Sequence, residues 1–428
     1  MEYIKKEQGA YNLHIIKTKQ YKTITVKLYF KEQVEKENIT KRNFLARIMM
    51  LSTKDYPTKV ELTKAEQNLY AANISGSTRR LGNYLDTSIS LRVLNDKYTE
   101  ENNFKKSLEL LSSIIFNPNV TNNAFNEREF NIVYEEYKSD LNTIKEDKRT
   151  YSLIRCLENT STGIVGYRGI GYLEDLEKIT PQNLYEYYQK VINNNAVDIF
   201  VLGDVDEKEI SNLFRTYFKN NVYKKPPVKA IVSSDKSRKI KEIKETIPSE
   251  QDNLVITLSL NDLTSYERNY PLSLLNTILG GGTESLLFNE VREKSSLAYT
   301  ISSTPNKLDN LIIIRGGITK GKTTEAISII KKILKSLAAG KITEEMIARA
   351  KEYYISALDD IVESTFQIIE SYYMIELLKV GDIETKRKKI KEVTKEEIIN
   401  VAKKIKINTI YILEGSDNLG KNWLKKSR

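Results

Sequence analysis

The sequence predicts an α+β protein made of two similar halves, each a mixed sheet covered by helices, the two closing as a clam-shell. Three observations carry that expectation. Two alternating apolar strands, TITVKLYF near the start and LVITLSL beyond the middle, each open a series of strands and then helices. Two later segments, ITPQNLYEYYQKVINNNAVDIFVLGDVD and VTKEEIINVAKKIKINTIYILEGSD, agree in kind and order, as copies of one unit would. A Pro/Ser/Lys-rich stretch lies between the two series, where a domain boundary is expected.

Taken in order, the first half gives TITVKLYF, then the alternating YLDTSISLRVL, then an apolar-periodic helix at 108–115 and a longer helix starting from Thr121. Thr180, followed by Pro181, is placed to cap a further helix that runs into an apolar strand ending at Gly203. The second half repeats the series with LVITLSL, LIIIRGGI, a helix at 327–337 and a longer helix from Thr343. Thr394 with Glu397 forms a capping box before the last helix and the strand ending at Gly415. Gly203 follows Thr180 by 23 residues and Gly415 follows Thr394 by 21. The expected organisation is a first half at 1–223, a basic linker at 224–244 and a second half at 245–428.

Composition excludes several chemistries. The 428 residues contain one His (His14), one Cys (Cys156) and one Trp (Trp423), so no His-pair or Cys-pair metal signature and no internal disulfide is possible. His14 reads as a strand or surface histidine. The start, MEYIKKEQGAYNLHII, has no apolar segment of signal-peptide type, and no apolar run approaches the roughly 18 residues of a membrane span. A cytoplasmic protein with no membrane partner is expected. The net charge of +10 raises the question of nucleic acid. Its excess lies in the linker, where eight basic residues stand against two acidic ones around Pro226 and Pro227. KRKKIK at 386–391 lacks the aromatic interleaving of a single-strand binder, so no nucleic-acid partner is expected.

Residues 316–323, GGITKGKT, satisfy the phosphate-loop pattern through Gly316, Gly321, Lys322 and Thr323, with a strand before and a helix after. No later apolar strand ending in Asp supplies the second magnesium ligand. A chance match in a turn is the preferred reading, and a nucleotide-binding protein is the least favoured of three alternatives.

Residues 279–306, LGGGTESLLFNEVREKSSLAYTISSTPN, resemble the insulinase-type (pitrilysin-related, M16) metallopeptidase family. The match runs through Gly280, Gly281, Gly282, Leu287, Phe288, Glu290, Val291, Arg292, Glu293, Lys294, Leu297, Ala298 and Tyr299. The resemblance implies that Gly280, Gly281 and Gly282 form a glycine-rich loop and that Arg292 and Tyr299 bind substrate. A guanidinium fork and a phenol suit a peptide carbonyl becoming tetrahedral.

The first half departs from the family where catalysis would sit. Active members carry H-x-x-E-H on a helix, shortly before a segment ending Tyr-Pro. Here the segment is NFLARIMMLSTKDYPT, and counting back from Tyr56 and Pro57 puts the equivalent five at 43–47 or 44–48. Asn43, Phe44, Arg47 and Ile48 thus occupy a degenerate zinc-motif region with neither histidine nor glutamate. The family's third ligand is matched by Glu136, an orphaned position that reads most simply as one more carboxylate of an acid-rich helix. No metal is expected in this chain and none of its residues is expected to be catalytic.

The resemblance is closest to the non-catalytic member of a paired bacterial cytoplasmic type, associated in some bacteria with elongation factor P modification. It implies a non-catalytic, substrate-engaging subunit whose partner is a zinc-bearing H-x-x-E-H homologue and whose ligand is a peptide held in a closed chamber. No hydrolysis is expected from this chain alone. The alternative is a stand-alone peptide-binding or chaperone-like protein with a degenerate peptidase fold.

Overall fold

Side-chain alternation sets the architecture. In the strand Thr23–Gln33, Ile24, Val26, Leu28 and Phe30 enter one apolar core, while Thr25, Lys27, Tyr29 and Lys31 point to the opposite face. The computed structural model describes residues 1–9, 11–100, 102–218, 229–232, 239–260 and 262–417, and the chain forms two compact units.

The first unit comprises Met1–Asn142, Arg168–Ala230 and Ser364–Tyr373. Its strands are β1 (Glu2–Glu7), β2 (Asn12–Lys17), β3 (Thr23–Gln33), β4 (Asn73–Leu81), β5 (Tyr84–Leu94), a short hairpin of β6 (Val120–Thr121) and β7 (Ala124–Phe125), and β8 (Ala196–Gly203). The main sheet has six strands in the order β1-β2-β8-β3-β5-β4. Its apolar face packs on the helices Lys36–Ile48, Asn103–Phe116, Glu127–Thr143, Pro181–Asn194 and Glu207–Tyr217 through residues such as Phe44, Leu108, Val133, Leu184 and Phe214.

The second unit comprises Thr143–Tyr167, Ile231–Glu363 and Met374–Arg428. It holds β9 (Lys241–Pro248), β10 (Asp252–Ser259), β11 (Ala298–Asn306), β12 (Leu311–Ile318) and β13 (Lys406–Ser416) in the order β11-β12-β10-β13-β9. Helices Pro271–Gly280, Thr323–Ala338, Glu344–Asp360, Ile383–Glu392 and Lys395–Lys404 cover its apolar face. Pairing shows the duplication directly. β2 and β8 run parallel and the steps β8-β3, β3-β5 and β5-β4 are antiparallel. β9 and β13 run parallel and the steps β13-β10, β10-β12 and β12-β11 are antiparallel. Each sheet thus has the same five-strand pattern, in which β4 corresponds to β11, and the first carries β1 in addition.

Neither unit is a continuous stretch of chain. The helix Lys148–Thr160, from the first half of the sequence, lies on β10 and β13, where Cys156 Sγ approaches Val255 O at 3.7 Å and Thr160 Oγ1 meets Thr257 Oγ1 at 3.0 Å. Residues 364–373, from the second half, lie on β3, where Thr25 Oγ1 donates to Thr365 Oγ1 at 2.9 Å and Tyr29 stacks on Tyr373 with centroids 3.7 Å apart. Of the expected basic linker, residues 224–228 and 233–238 lie outside the described residues. Its last residues, 241–244, open strand β9, whose pairing with β13 takes them into the sheet.

Two local expectations are corrected. Thr121 starts no helix: Asn122 and Asn123 take φ of 51° and 58°, the left-handed pair that closes a tight hairpin, and the helix begins at Glu127 behind Asn126. His14 is a strand residue as expected, but it is fully buried rather than at the surface.

The second face of the first sheet is polar. Lys31 pairs with Asp198, Asn12 Nδ2 donates to Asp198 Oδ1 at 2.8 Å, and His14 Nε2 lies 3.2 Å from the same oxygen while its Nδ1 meets the Tyr3 hydroxyl at 2.7 Å. Burial opposes ionisation of Asp198, but Lys31 and His14 outweigh it and hold the carboxyl well below its usual range. Beside it, Glu370 accepts from Arg79 at 2.6 Å and from the Tyr29 hydroxyl at 2.9 Å.

Asp198→Asn removes the carboxylate that pairs with the buried Lys31 ammonium, and a loss of about 3–5 kcal/mol in denaturant stability at neutral pH is expected. A depressed carboxyl stabilises above its unfolded value and loses that contribution as pH falls toward the folded one. The gap between wild type and variant should therefore narrow below about pH 4. A gap that stays constant down to pH 2 would count against the pairing. Burial pushes the Cys156 thiol up to about 12, so a thiol reagent should label the native chain only at the rate of unfolding.

Candidate functional site

The residues read as a degenerate zinc motif lie on the helix Lys36–Ile48, which packs on the helix Glu127–Thr143 through its rings. Phe44 is fully buried and stacks on Phe130 at 4.7 Å, with Tyr137, also fully buried, edge-on at 6.4 Å. Asn43 Nδ2 donates to Ile39 O and to Gly169 O, both at 2.9 Å. Arg47 lies over the Tyr137 ring at 4.5 Å and pairs with Asp140 at 2.7 Å. Ile48 points into the core. Glu136 is exposed.

The two helices are therefore joined by rings and one guanidinium. Tyr137 donates to Ile170 O, and Gly171, at φ +94°, leaves room for this contact, since a Cβ there would stand 2.5 Å from the Tyr137 hydroxyl. These residues do not fit zinc. None of Asn43, Phe44, Arg47 and Ile48 offers the imidazole or carboxylate such a site requires, and Arg47 brings a positive charge. Among the described residues no three His, Cys, Asp or Glu converge to hold a metal.

The second motif lies in the other unit and is built differently. The helical turn Phe288–Glu293 is widened, with Lys294 N bonding to Asn289 O at 2.9 Å, five residues back. It closes on Ser296, at φ 50°, with Ser296 N on Arg292 O at 2.9 Å and Leu297 N on Val291 O at 3.0 Å. That closure delivers the chain into β11. Arg292 leaves its guanidinium exposed over the Phe288 ring at 4.7 Å. Tyr299, 62% exposed, is the extra residue of a β-bulge, since Ala298 pairs with Ile318 and Thr300 with Gly317. β11 is the edge strand of its sheet.

The glycine run seats the end of helix Pro271–Gly280 against β11. A Cβ at Gly280 would meet Ser303 N at 2.6 Å, one at Gly281 would meet Thr277 Cα at 2.7 Å, and one at Gly282 would touch the Tyr353 ring at 3.2 Å. Asn276 Oδ1 accepts from Ser303 Oγ at 2.8 Å across the same contact. Beside Gly282 opens a cavity of about 200 Å³ whose walls include Ile278, Met346, Tyr353 and Arg349. Arg349 pairs with both Glu284 and Glu345. Arg292, Tyr299 and the three glycines thus belong to one unit and one strand end, whereas Glu136 and Asn43–Ile48 belong to the other.

The phosphate-loop match is filled from within. Thr323 Oγ1 and Gly321 N both donate to Asp252 Oδ2, at 2.8 and 3.0 Å, and Gly415 N donates to Asp252 Oδ1 at 2.8 Å. The carboxylate of Asp252 occupies the helix N-terminus that a phosphate would need, and Lys322 turns to Glu325 at 3.3 Å. The strand before the loop, β12, is antiparallel to both neighbours. Asp252 was not legible as part of this loop, because it reaches it across the sheet from β10.

The family model described as the Peptidase M16 inactive domain matches residues 178–354. A probable inactive metalloprotease of Bacillus subtilis (strain 168), YmfF, is 27% identical over 421 residues, covering 97% of this chain and 98% of that protein. A conserved protein from Enterococcus faecalis V583, known by crystal structure, superposes with a TM-score of 0.89 at 28% identity, over 98% of this chain and 100% of the other. A peptidase M16 inactive domain from Pseudomonas fluorescens shares the fold, with a TM-score of 0.81 at 15% identity over 97% of this chain and 98% of that one. In its duplicated sheets and over residues 178–354 the chain is similar to the M16 peptidase family and to that family's inactive domain.

Proposed function

We propose that this chain is the non-catalytic, substrate-engaging subunit of a zinc peptidase, working with a homologue that carries H-x-x-E-H, and that peptide lies along the free edge of β11. One contrast carries the reading. Rings and a guanidinium stand where metal donors would be required, while Tyr299 and Arg292 remain exposed at an open strand edge. A protein that had lost every role in peptide handling would have no need of a bulge aiming a phenol outward.

An edge strand offers a row of backbone N–H and C=O groups, so an extended peptide can add to it with little demand on sequence. Arg292 would then hold a carbonyl of that peptide and Tyr299 would donate to oxygen as charge develops on it. Hydrolysis, and the zinc that activates water for it, belong to the partner in this reading. A reducing cytoplasm suits a chain whose only cysteine is a buried free thiol.

Purified alone, the chain should contain no stoichiometric zinc by elemental analysis and should cleave no peptide. One tightly held zinc per chain with chelator-sensitive proteolysis would refute the assignment. Co-expressed with the H-x-x-E-H homologue, it should form a complex on size-exclusion chromatography. Arg292→Ala or Tyr299→Phe should lower turnover of that complex about 10²–10³-fold with assembly and zinc content unchanged, and substitution of Glu136 should do little. Peptide binding by this chain with no effect on a partner's turnover would favour the stand-alone binding protein. Lys322→Ala should leave activity intact, and micromolar ATP binding abolished by that change would restore the nucleotide reading.

A further inference from the structure

The strand register of the second unit sets out a polar corner beside a covering helix. Thr300 on β11 and Asn253 on β10 both pair with Gly317 on β12, so their side chains share one face, with none from Gly317 between them. Ser302, Arg315 and Val255 form the next row on the same face. The helix Lys148–Thr160 lies over Val255 through Cys156, and its first turn reaches the corner, where Arg315 Nη2 donates to Arg149 O at 3.1 Å. Arg149, Asn253, Thr300, Arg315 and Gly317 line one cavity there of about 10 Å³, room for a single water or oxygen atom.

The corner is short of negative charge. Among the described residues neither guanidinium has a carboxylate oxygen within ion-pair distance, and the one hydrogen bond of Arg315 goes to a neutral carbonyl. Asp147, the carboxylate nearest in sequence, caps the helix, accepting from Arg149 N at 3.0 Å and from Thr150 N at 3.2 Å. Burial and then Arg149 hold Arg315 below its ordinary value, with Asp147 opposing them. Asn253 is 3% exposed, and its Nδ2 is buried with no hydrogen-bond partner. A buried donor left open and two like charges facing one space are both costly, and a single anion relieves both.

We propose that Arg149, Arg315 and Asn253 form a binding site for a small oxyanion of the carboxylate or phosphate class. One oxygen enters the cavity, where the Asn253 amide and the Arg315 guanidinium donate to it. The remaining oxygens stay at the mouth, where Arg149 and Thr300 are exposed and supply a second guanidinium and a hydroxyl. Arg149 opens a helix that comes from the first half of the sequence, so the anion would tie that helix to β12. The proposal is independent of the peptide-binding reading.

The test uses the full chain, dialysed into a chloride buffer free of phosphate and carboxylates. Sodium phosphate and sodium acetate are titrated in separate arms against sodium chloride at matched ionic strength, by calorimetry and by thermal midpoint. One arm or both should show one anion per chain and a midpoint that rises with concentration, and the arm that responds names the class. Arg315→Met and Arg149→Met should each weaken that binding roughly 10–100-fold, while Lys322→Ala should leave it unchanged. Arg149 is exposed, so its variant carries the test if Arg315→Met does not fold. A midpoint that follows ionic strength alone, identical titrations in wild type and Arg149→Met, or a loss of binding in Lys322→Ala would overturn the site.

Discussion

The chemistry open to the first unit is constrained by what fills the space between two helices. Phe44, Phe130 and Tyr137 occupy it with rings, and Arg47 closes its mouth through the Tyr137 face and Asp140. A volume packed with aromatic carbon has no room for a hydrated metal, and a guanidinium at its edge repels one. The helices need no ion to stay together: burial of Phe44 alone contributes about 1.5–3 kcal/mol. The exposed Arg47–Asp140 pair adds at most about 1 kcal/mol. The fold at this point therefore rests on ring packing and needs no metal.

The chain carries a pair of sheets with one pairing pattern. The same order of parallel and antiparallel steps recurs in both, so β4 and β11 end their sheets as edge strands in corresponding positions. The edges differ in detail. β4 pairs with β5 without a break in register, whereas β11 carries the bulge that turns Tyr299 outward and takes the packed glycine run at Ser303. A duplicated scaffold has thus been made asymmetric at two points, one by filling and one by exposure.

Much of this was legible in the sequence because it rests on local chemistry. TITVKLYF and LVITLSL alternate as half-polar or buried strands do, and both fall inside central strands, β3 and β10. Thr180 and Thr394 form capping boxes with Asn183 and Glu397. The exchange of helices was not legible, because an amphipathic stretch such as 148–160 has the same pattern whichever sheet it covers. The widened turn at Phe288–Glu293 and the bulge at Tyr299 depend on backbone pairing that no residue type announces. The buried pairing of Lys31, His14 and Asp198 joins residues far apart in sequence, and single charges in a strand read as solvent-facing until their partners are known.

The central claim is that peptide is held at the free edge of β11 by a chain that does no chemistry on it. Hydrogen–deuterium exchange of the mixed complex, with and without a slowly cleaved peptide, reads that edge directly. The account predicts that peptide slows exchange in Ala298–Asn306, with the effect reduced by Arg292→Ala. Unchanged exchange in that strand, with protection confined to the partner, would contradict it.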